Sequence, residues 1–121
     1  MNARLLLAGL LGLAATLAHA EPPAKMAGGM LVTTSGMTLY TFDRDTAGSG
    51  KSACNGPCAM LWPPAMAAAD AKDEGDFTVI TRDDGAKQWA YKGKPIYVYS
   101  VDKKPGDMGG DNFRDVWHVA K

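Results

Sequence analysis

The two cysteines, Cys54 and Cys58, are the residues best suited to carry chemistry in this sequence. Asn-Gly-Pro lies between them and favours a tight turn that brings one sulfur back towards the other. Three roles fit this spacing: a structural disulfide that orders the loop before Trp62, a thiol pair that works in redox exchange, and a metal site. An oxidising compartment favours the disulfide.

A metal site would combine the two thiolates with the imidazole of His118, because soft sulfur and imidazole ligands suit cuprous copper. Cys-x3-Cys with a distant His resembles the copper chaperones that supply cytochrome oxidase, a likeness confined to Cys54, Cys58 and His118. The other interpretation of His118 is a side chain at the end of a strand beside Trp117. Methionine thioethers would add soft ligands, and six follow residue 20: Met26, Met30, Met37, Met60, Met66 and Met108.

Residues that support enzymatic catalysis are scarce. His118 is the only imidazole after residue 20, and the chain has no Gly-x-Ser-x-Gly motif, phosphate-binding loop or zinc-type His cluster. We therefore predict that the protein is not an enzyme and, in the main interpretation, that it holds no cofactor.

Residues 1–20 are organised like a secretory signal peptide. Arg4 precedes an apolar run from Leu5 to Leu17, and Ala18-His19-Ala20 forms a small-x-small cleavage site. Prolines 22 and 23 follow too early for a membrane-spanning helix, which needs about 20 apolar residues. The mature chain is therefore expected to have no membrane span, and its predicted location is the periplasm.

The remaining chain divides into a predicted flexible tether over residues 21–28 and a secreted two-repeat domain over residues 29–121. Cleavage after Ala20 predicts that the intact mass of the secreted protein corresponds to a chain beginning at Glu21. A secreted form that retains Met1 would contradict the assignment.

Charge excludes one class of partner. The full chain carries 13 basic and 13 acidic residues, and removal of residues 1–20 takes away Arg4 alone. Nucleic acid is therefore not an expected partner, whereas an unidentified envelope protein or a small ligand is compatible with this balance. All ten aromatic residues follow residue 20 and aliphatic residues are few, which predicts a core rich in aromatic and methionine side chains.

An internal repeat runs through the chain. Gly36 to Asp45 and Gly93 to Asp102 both read Gly-x2-aliphatic-Tyr-x-aromatic-x2-Asp, and each copy is followed by a tryptophan. We expect the aspartates to accept backbone N–H bonds from the loops after their strands. The motif residues are Tyr40, Phe42, Asp45 and Trp62 in the first copy and Tyr97, Tyr99, Asp102 and Trp117 in the second.

Alternating side chains within each copy predict strands, with each tyrosine and the aromatic two residues later on one face. Pro64 to Ala71 is predicted to form the one short helix, ending at Gly75. The predicted fold class is mostly β: a small single domain of two pseudo-repeated β-hairpin units with one short helix. Further strands are predicted over residues 30–33, 77–81, 87–91 and 116–120.

The two Tyr-x4-Asp motifs, Cys-x3-Cys-Ala-x2-Trp-Pro-Pro and the C-terminal Trp-His together resemble a family of bacterial secreted-repeat proteins, many of them predicted lipoproteins. The resemblance implies a secreted protein and carries no established activity. No cysteine follows the leader, so the lipid anchor of the lipoprotein members is not expected. The predicted function is a binding or structural module of the periplasm or cell envelope; the alternative is a periplasmic copper-binding or thiol redox protein that uses Cys54, Cys58 and His118.

Overall fold

The computed structural model describes residues 23–121, and the predicted signal peptide lies outside this range. Seven short strands and one helix make up the described chain. In chain order they are β1 (Ala24–Ala27), β2 (Met30–Thr33), β3 (Tyr40–Phe42), α1 (Pro57–Leu61), β4 (Phe77–Thr81), β5 (Lys87–Tyr91), β6 (Lys94–Pro95) and β7 (Trp117–Val119).

The strands form three small antiparallel sheets. β1 pairs with β2, β3 pairs with β7, and β4, β5 and β6 form a sheet in that order. The predicted mostly β class with one short helix is therefore confirmed. No helix within residues 23–121 has the length and apolar character needed to cross a membrane.

The two halves of the described chain, residues 23–66 and 77–121, repeat the same backbone hydrogen bonds. In one set, Leu31 donates to Ala120, Ala120 donates to Leu39, and Leu39 donates to Leu31, at N···O distances of 2.9, 2.9 and 3.0 Å. In the other set, Trp89, Ala65 and Ile96 make the matching bonds at 2.8, 3.0 and 3.1 Å. Each set joins both halves, so the pseudo-symmetry relates two interlocked units.

The halves cross at the tyrosines of the repeat motif. The N–H of Tyr40 donates to the carbonyl of Tyr97 at 2.8 Å, and the N–H of Tyr97 donates to the carbonyl of Tyr40 at 3.0 Å. On the other side of each tyrosine, Tyr40 pairs with Val119, and Tyr97 forms a bridge to Pro64. Each motif segment therefore lies between the other motif segment and the tryptophan segment of the opposite half, although the second copy makes only isolated bridges at Tyr97 where a strand was predicted.

The predicted helix over residues 64–71 is wrong, because the one helix found within residues 23–121 lies earlier, at Pro57–Leu61. Proline favours the first turn of a helix, and Pro57 supplies that start. Tertiary pairing overrides the helix propensity of the alanines that follow Pro64: the N–H groups of Ala65 and Ala67 donate to Ile96 and Lys87.

The predicted tether is also wrong over residues 24–27, which form β1. Ala24 lies opposite Thr33 and Ala27 lies opposite Met30, so this segment completes a hairpin. Gly28 and Gly29 both have positive φ, at 59° and 81°, which is the backbone of a tight hairpin turn. Sequence alone missed this hairpin because its first strand has a single buried side chain, Ala24.

The core is aromatic, as predicted, but it is not rich in methionine. One cluster contains Tyr40, Tyr97, Tyr99 and both motif tryptophans, and a second contains Leu31, Leu39 and Ile96. Aromatic rings make up most of the first cluster, together with Cys54 and Val119, and Met30 is the one methionine of the described chain that packs against it. Four other methionines are largely exposed: Met60 at 80%, Met66 at 58%, Met26 at 51% and Met108 at 47%.

Candidate functional site

The tyrosines and aspartates of the two motifs bind across the halves rather than within them. The hydroxyl of Tyr40 donates to Asp102 Oδ2 at 2.6 Å, and the hydroxyl of Tyr97 donates to Asp45 Oδ2 at 2.6 Å. Both tyrosines are fully buried. Each motif thus supplies a donor to the other motif and an acceptor from it.

The second oxygen of each carboxylate holds the loop that follows its strand. Asp45 Oδ1 accepts the Ala53 N–H at 2.6 Å, and Asp102 Oδ1 accepts the Gly109 N–H at 3.0 Å. This is the loop-holding role expected of both aspartates, with a bond to the opposite tyrosine in addition. Because one carboxylate bonds to both a loop and a buried phenol, it fixes the loop relative to the opposite half.

Burial controls the protonation of these groups. Burial and the adjacent carboxylates raise the pKa of Tyr40 and Tyr97 far above the ordinary value, so both hydroxyls stay protonated and remain donors at neutral pH. Burial also raises the pKa of Asp45, while the bonds from Tyr97 and Ala53 act in the opposite direction.

Four rings lie face to face across the same interface: Phe42, Trp117, Trp62 and Tyr99, here called the aromatic stack. The centroid distances are 4.2 Å between Phe42 and Trp117, 3.9 Å between the tryptophans, and 4.2 Å between Trp62 and Tyr99. The tryptophan planes differ by 3°. Members from the two halves alternate along the aromatic stack, so neither half can form it alone.

Each motif tyrosine packs edge-on against one tryptophan of the aromatic stack. The ring centroids are 5.3 Å apart for Tyr40 and Trp62 and 5.1 Å apart for Tyr97 and Trp117. Edge-to-face contacts of this kind are favourable because the positive ring edge meets the negative ring face. The hydrogen-bonded tyrosines and the aromatic stack therefore form one continuous core.

Arg82, a buried cation that the sequence analysis did not single out, donates hydrogen bonds to the cysteine-containing loop of the first half. Arg82 is 5% exposed, and its guanidinium donates to the Cys54 carbonyl at 2.6 Å, Gln88 Oε1 at 2.7 Å and Ser52 Oγ at 3.0 Å. Ser52 also bonds to the Tyr97 hydroxyl at 2.7 Å. A single arginine after a strand carries no sequence signal of burial, so only the structure reveals this network.

The two cysteines form a disulfide, one of the three roles that their spacing allows. Cys54 is fully buried, whereas Cys58 is half-buried in α1. The disulfide closes the loop whose backbone is held by Arg82 and Asp45. The second half has no matching disulfide within the described residues.

The imidazole of His118 contacts Asp43 and Asn112 and not the cysteine sulfurs. Its Nε2 lies 2.8 Å from Asp43 Oδ2 and its Nδ1 lies 3.1 Å from Asn112 Oδ1. Across residues 23–121, no group of three or more His, Cys, Asp or Glu side chains is arranged to hold a metal ion. The disulfide and His118 thus lie in separate networks.

His118 and Asp43 line a surface pocket of about 290 Å³, here called the lysine pocket. Exposed lysines surround it, and Asp43 is the one acidic side chain in its lining. The Nζ of Lys92 lies 5.2 Å from the centre of the Tyr91 ring. The lining residues are Thr41, Asp43, Tyr91, Lys92, Lys94, His118, Val119, Ala120 and Lys121.

The charges of the lysine pocket break the pseudo-symmetry of the molecule. Thr41 of the first half pairs with His118 of the second, and the equivalent contact joins Val98 of the second half to Pro63 of the first. Asp43 corresponds in the same way to Ser100. The equivalent surface therefore replaces an imidazole and a carboxylate with a proline and a serine.

Lys92 occupies a costly backbone conformation. Its φ is 51° and that of Gly93 is 84°, as in a two-residue turn that normally begins with Asn, Asp or Gly. A side chain with a Cβ is strained in this region, which Asn112, Arg114 and Asp115 also occupy. The turn displays the ammonium group of Lys92 at the lysine pocket.

A family model described as a secreted repeat of unknown function matches the chain twice, over residues 24–66 and 78–121. The protein belongs to this secreted-repeat family. The predicted internal duplication and the expected secreted family are thereby confirmed, and the two matched segments coincide with the interlocked halves. Neither a curated protein nor a solved structure matches the chain.

Each motif aspartate is expected to contribute measurably to the free energy of unfolding. Replacing Asp45 or Asp102 by alanine removes a loop bond and the bond that a buried tyrosine hydroxyl donates to that carboxylate. We expect each change to lower the free energy of unfolding by about 2–3 kcal/mol, measured by urea denaturation. Asp70→Ala at an exposed position is the control and should change it by less than about 0.5 kcal/mol. Equal stabilities for all three variants would contradict a structural role.

Proposed function

We propose that the protein is a non-enzymatic binding module of the periplasm or cell envelope, and that the lysine pocket binds an anionic ligand. The observation that carries the proposal is the placement of Lys92, Lys94, Lys121 and His118 around one pocket, with Asp43 as the only acidic side chain in its lining. In a chain with no net charge, this local excess of basic groups favours ligands that carry carboxylate or phosphate oxygens.

The bonding of the buried motif residues also favours a surface site for the ligand. The motif hydroxyls and carboxylates are occupied by bonds to each other and to the loops. A ligand at the motif would have to replace those bonds, whereas the lysine pocket lies at the surface with exposed lysines. The two-repeat core thus acts as the scaffold, and binding takes place where one half departs from the other.

A heteronuclear NMR titration of the purified secreted chain tests the proposal, with inorganic phosphate and oligogalacturonate as separate probes. We expect saturable shifts at the backbone amides of Thr41, Lys92 and His118, with affinity that falls as ionic strength rises. Preference for one probe identifies phosphate or carboxylate as the recognised group.

Charge-matched variants separate pocket binding from nonspecific attraction. Lys92→Gln combined with Lys94→Gln should weaken binding about tenfold, since two exposed ionic contacts contribute roughly 1–2 kcal/mol together. Lys51→Gln combined with Lys104→Gln removes the same charge at exposed positions outside the pocket and should leave the affinity unchanged. Equal loss in both double variants, or shifts spread over all lysines, would overturn the proposal.

A further inference from the structure

We infer that the aromatic stack and the two tyrosine–aspartate pairs form a one-electron donor site in the interior of the protein. The partner would be a one-electron oxidant at the surface, such as a high-potential metal complex or an organic radical. This inference is independent of the lysine pocket, because it uses only the buried residues between the two halves.

The tryptophan pair is the position where an electron is lost most easily. Indoles are among the most readily oxidised side chains, and two parallel indoles share the positive charge that oxidation leaves. Trp62 and Trp117 lie 3.9 Å apart with a plane angle of 3°. Trp89, by contrast, packs against the aliphatic cluster and has one edge-to-face ring contact, with Phe77 at a centroid distance of 6.3 Å. The structure thus distinguishes one oxidisable pair from one ordinary tryptophan.

The tyrosine–aspartate pairs supply the proton acceptors that phenol oxidation requires. A phenol that loses an electron becomes a strong acid and must release its proton. The Tyr40 and Tyr97 hydroxyls each lie 2.6 Å from a carboxylate oxygen, so the proton has a short path inside the protein. Their raised pKa keeps both phenols protonated until an electron leaves.

The position of the site allows electron exchange while excluding water. Trp62 and Trp117 are 2% and 4% exposed, so a radical formed there is shielded from solvent. Phe42, at one end of the aromatic stack, is half-buried, and Tyr99, at the other end, is 8% exposed. The Phe42 end is therefore the one that approaches the surface where an oxidant can dock, and the Tyr99 end is buried.

The reaction consists of two balanced steps. First, one electron leaves the tryptophan pair and reduces the oxidant by one electron, which leaves a radical cation shared by Trp62 and Trp117. Second, Tyr40 returns an electron to the pair while its hydroxyl proton moves to Asp102. The products are the reduced oxidant, a neutral phenoxyl radical and a protonated carboxyl group. Tyr97 and Asp45 form the equivalent pair.

Flash photolysis tests the inference on the intact secreted chain, with photogenerated tris(bipyridine)ruthenium(III) as the oxidant. We expect a near-infrared charge-resonance band from the shared tryptophan radical, followed by a phenoxyl radical signal. The second step should slow in D₂O because it moves a proton, whereas the first step should not. Absence of the near-infrared band in the parent protein would overturn the inference.

Three variants assign the signals to residues. Trp89→Phe, the control outside the aromatic stack, should leave both steps unchanged, and Trp62→Phe should abolish the near-infrared band. Asp102→Asn combined with Asp45→Asn removes both proton acceptors and should preserve the band while suppressing the phenoxyl signal, with circular dichroism used to verify folding. If Trp89→Phe abolishes the signals, or if the double variant forms phenoxyl at the parent rate, the site does not act as inferred.

Discussion

Replacing Trp62 by alanine is expected to lower the free energy of unfolding by about 4 kcal/mol, measured by urea denaturation of the protein with its disulfide intact. The indole is 2% exposed and contacts both Trp117 and Tyr99 face to face. Its removal leaves a cavity in the middle of the aromatic stack and takes away the surface against which Tyr40 packs.

Trp89→Ala is the matched control for this effect. Trp89 is half-buried and makes an edge contact with Phe77, so its truncation is expected to lower the free energy of unfolding by less than half as much. Equal losses for the two variants would show that the aromatic stack contributes nothing beyond ordinary burial of a tryptophan.

Adding one methyl group at Gly110 is expected to destabilise the protein by about 3 kcal/mol in the same assay. A Cβ at this buried position would lie 2.5 Å and 2.8 Å from two carbons of the Trp62 ring and 3.1 Å from a carbon of Tyr40. These rings are fixed by their other contacts and cannot move aside. The Gly110 N–H also donates to the Tyr40 hydroxyl, a bond that a shifted backbone would lose.

Gly109→Ala is the control at the neighbouring position. Its Cβ would approach Asp102 Oδ1 at 3.2 Å and Tyr99 at 3.6 Å, contacts that small movements relieve. We expect a loss below about 1 kcal/mol. A Gly110→Ala variant as stable as Gly109→Ala would contradict the close packing of the second loop against the aromatic stack.

Periodicity and repetition were sufficient to predict most of the strands. The predicted strands over residues 77–81 and 87–91 agree with β4 and β5, because both segments alternate along the chain and are separated by turn residues. The first motif strand was also found, as β3, whereas in the second copy only Lys94–Pro95 forms a strand and Tyr97 makes isolated bridges. These features depend on neighbours in sequence.

The pairing between halves was beyond the reach of the same reasoning. Repetition shows that Tyr40 and Tyr97 are equivalent, but it does not reveal that each one binds the aspartate of the other copy. The helix predicted from Pro64 onward failed for a related reason, because the N–H of Ala65 is used by Ile96 of the opposite half. Long-range pairing decides both outcomes, and no local pattern encodes it.

The lysine pocket and Arg82 were missed because single charged residues carry little information about position. Lys92 and Lys121 are 29 positions apart in the sequence and meet only because the C-terminal strand returns beside the first motif strand. His118 was singled out for its chemistry, yet its partners, Asp43 and Asn112, come from two different loops. Only topology brings such residues together.

The central claim is that the repeat motif is a reciprocal latch, in which each tyrosine is held by the aspartate of the other half. Double-mutant cycles on the free energy of unfolding test it most directly, with Tyr40→Phe combined first with Asp102→Ala and then with Asp45→Ala. The account predicts a coupling energy of about 1–2 kcal/mol for Tyr40 with Asp102 and less than about 0.5 kcal/mol for Tyr40 with Asp45. Coupling within the first motif and none across the halves would contradict it.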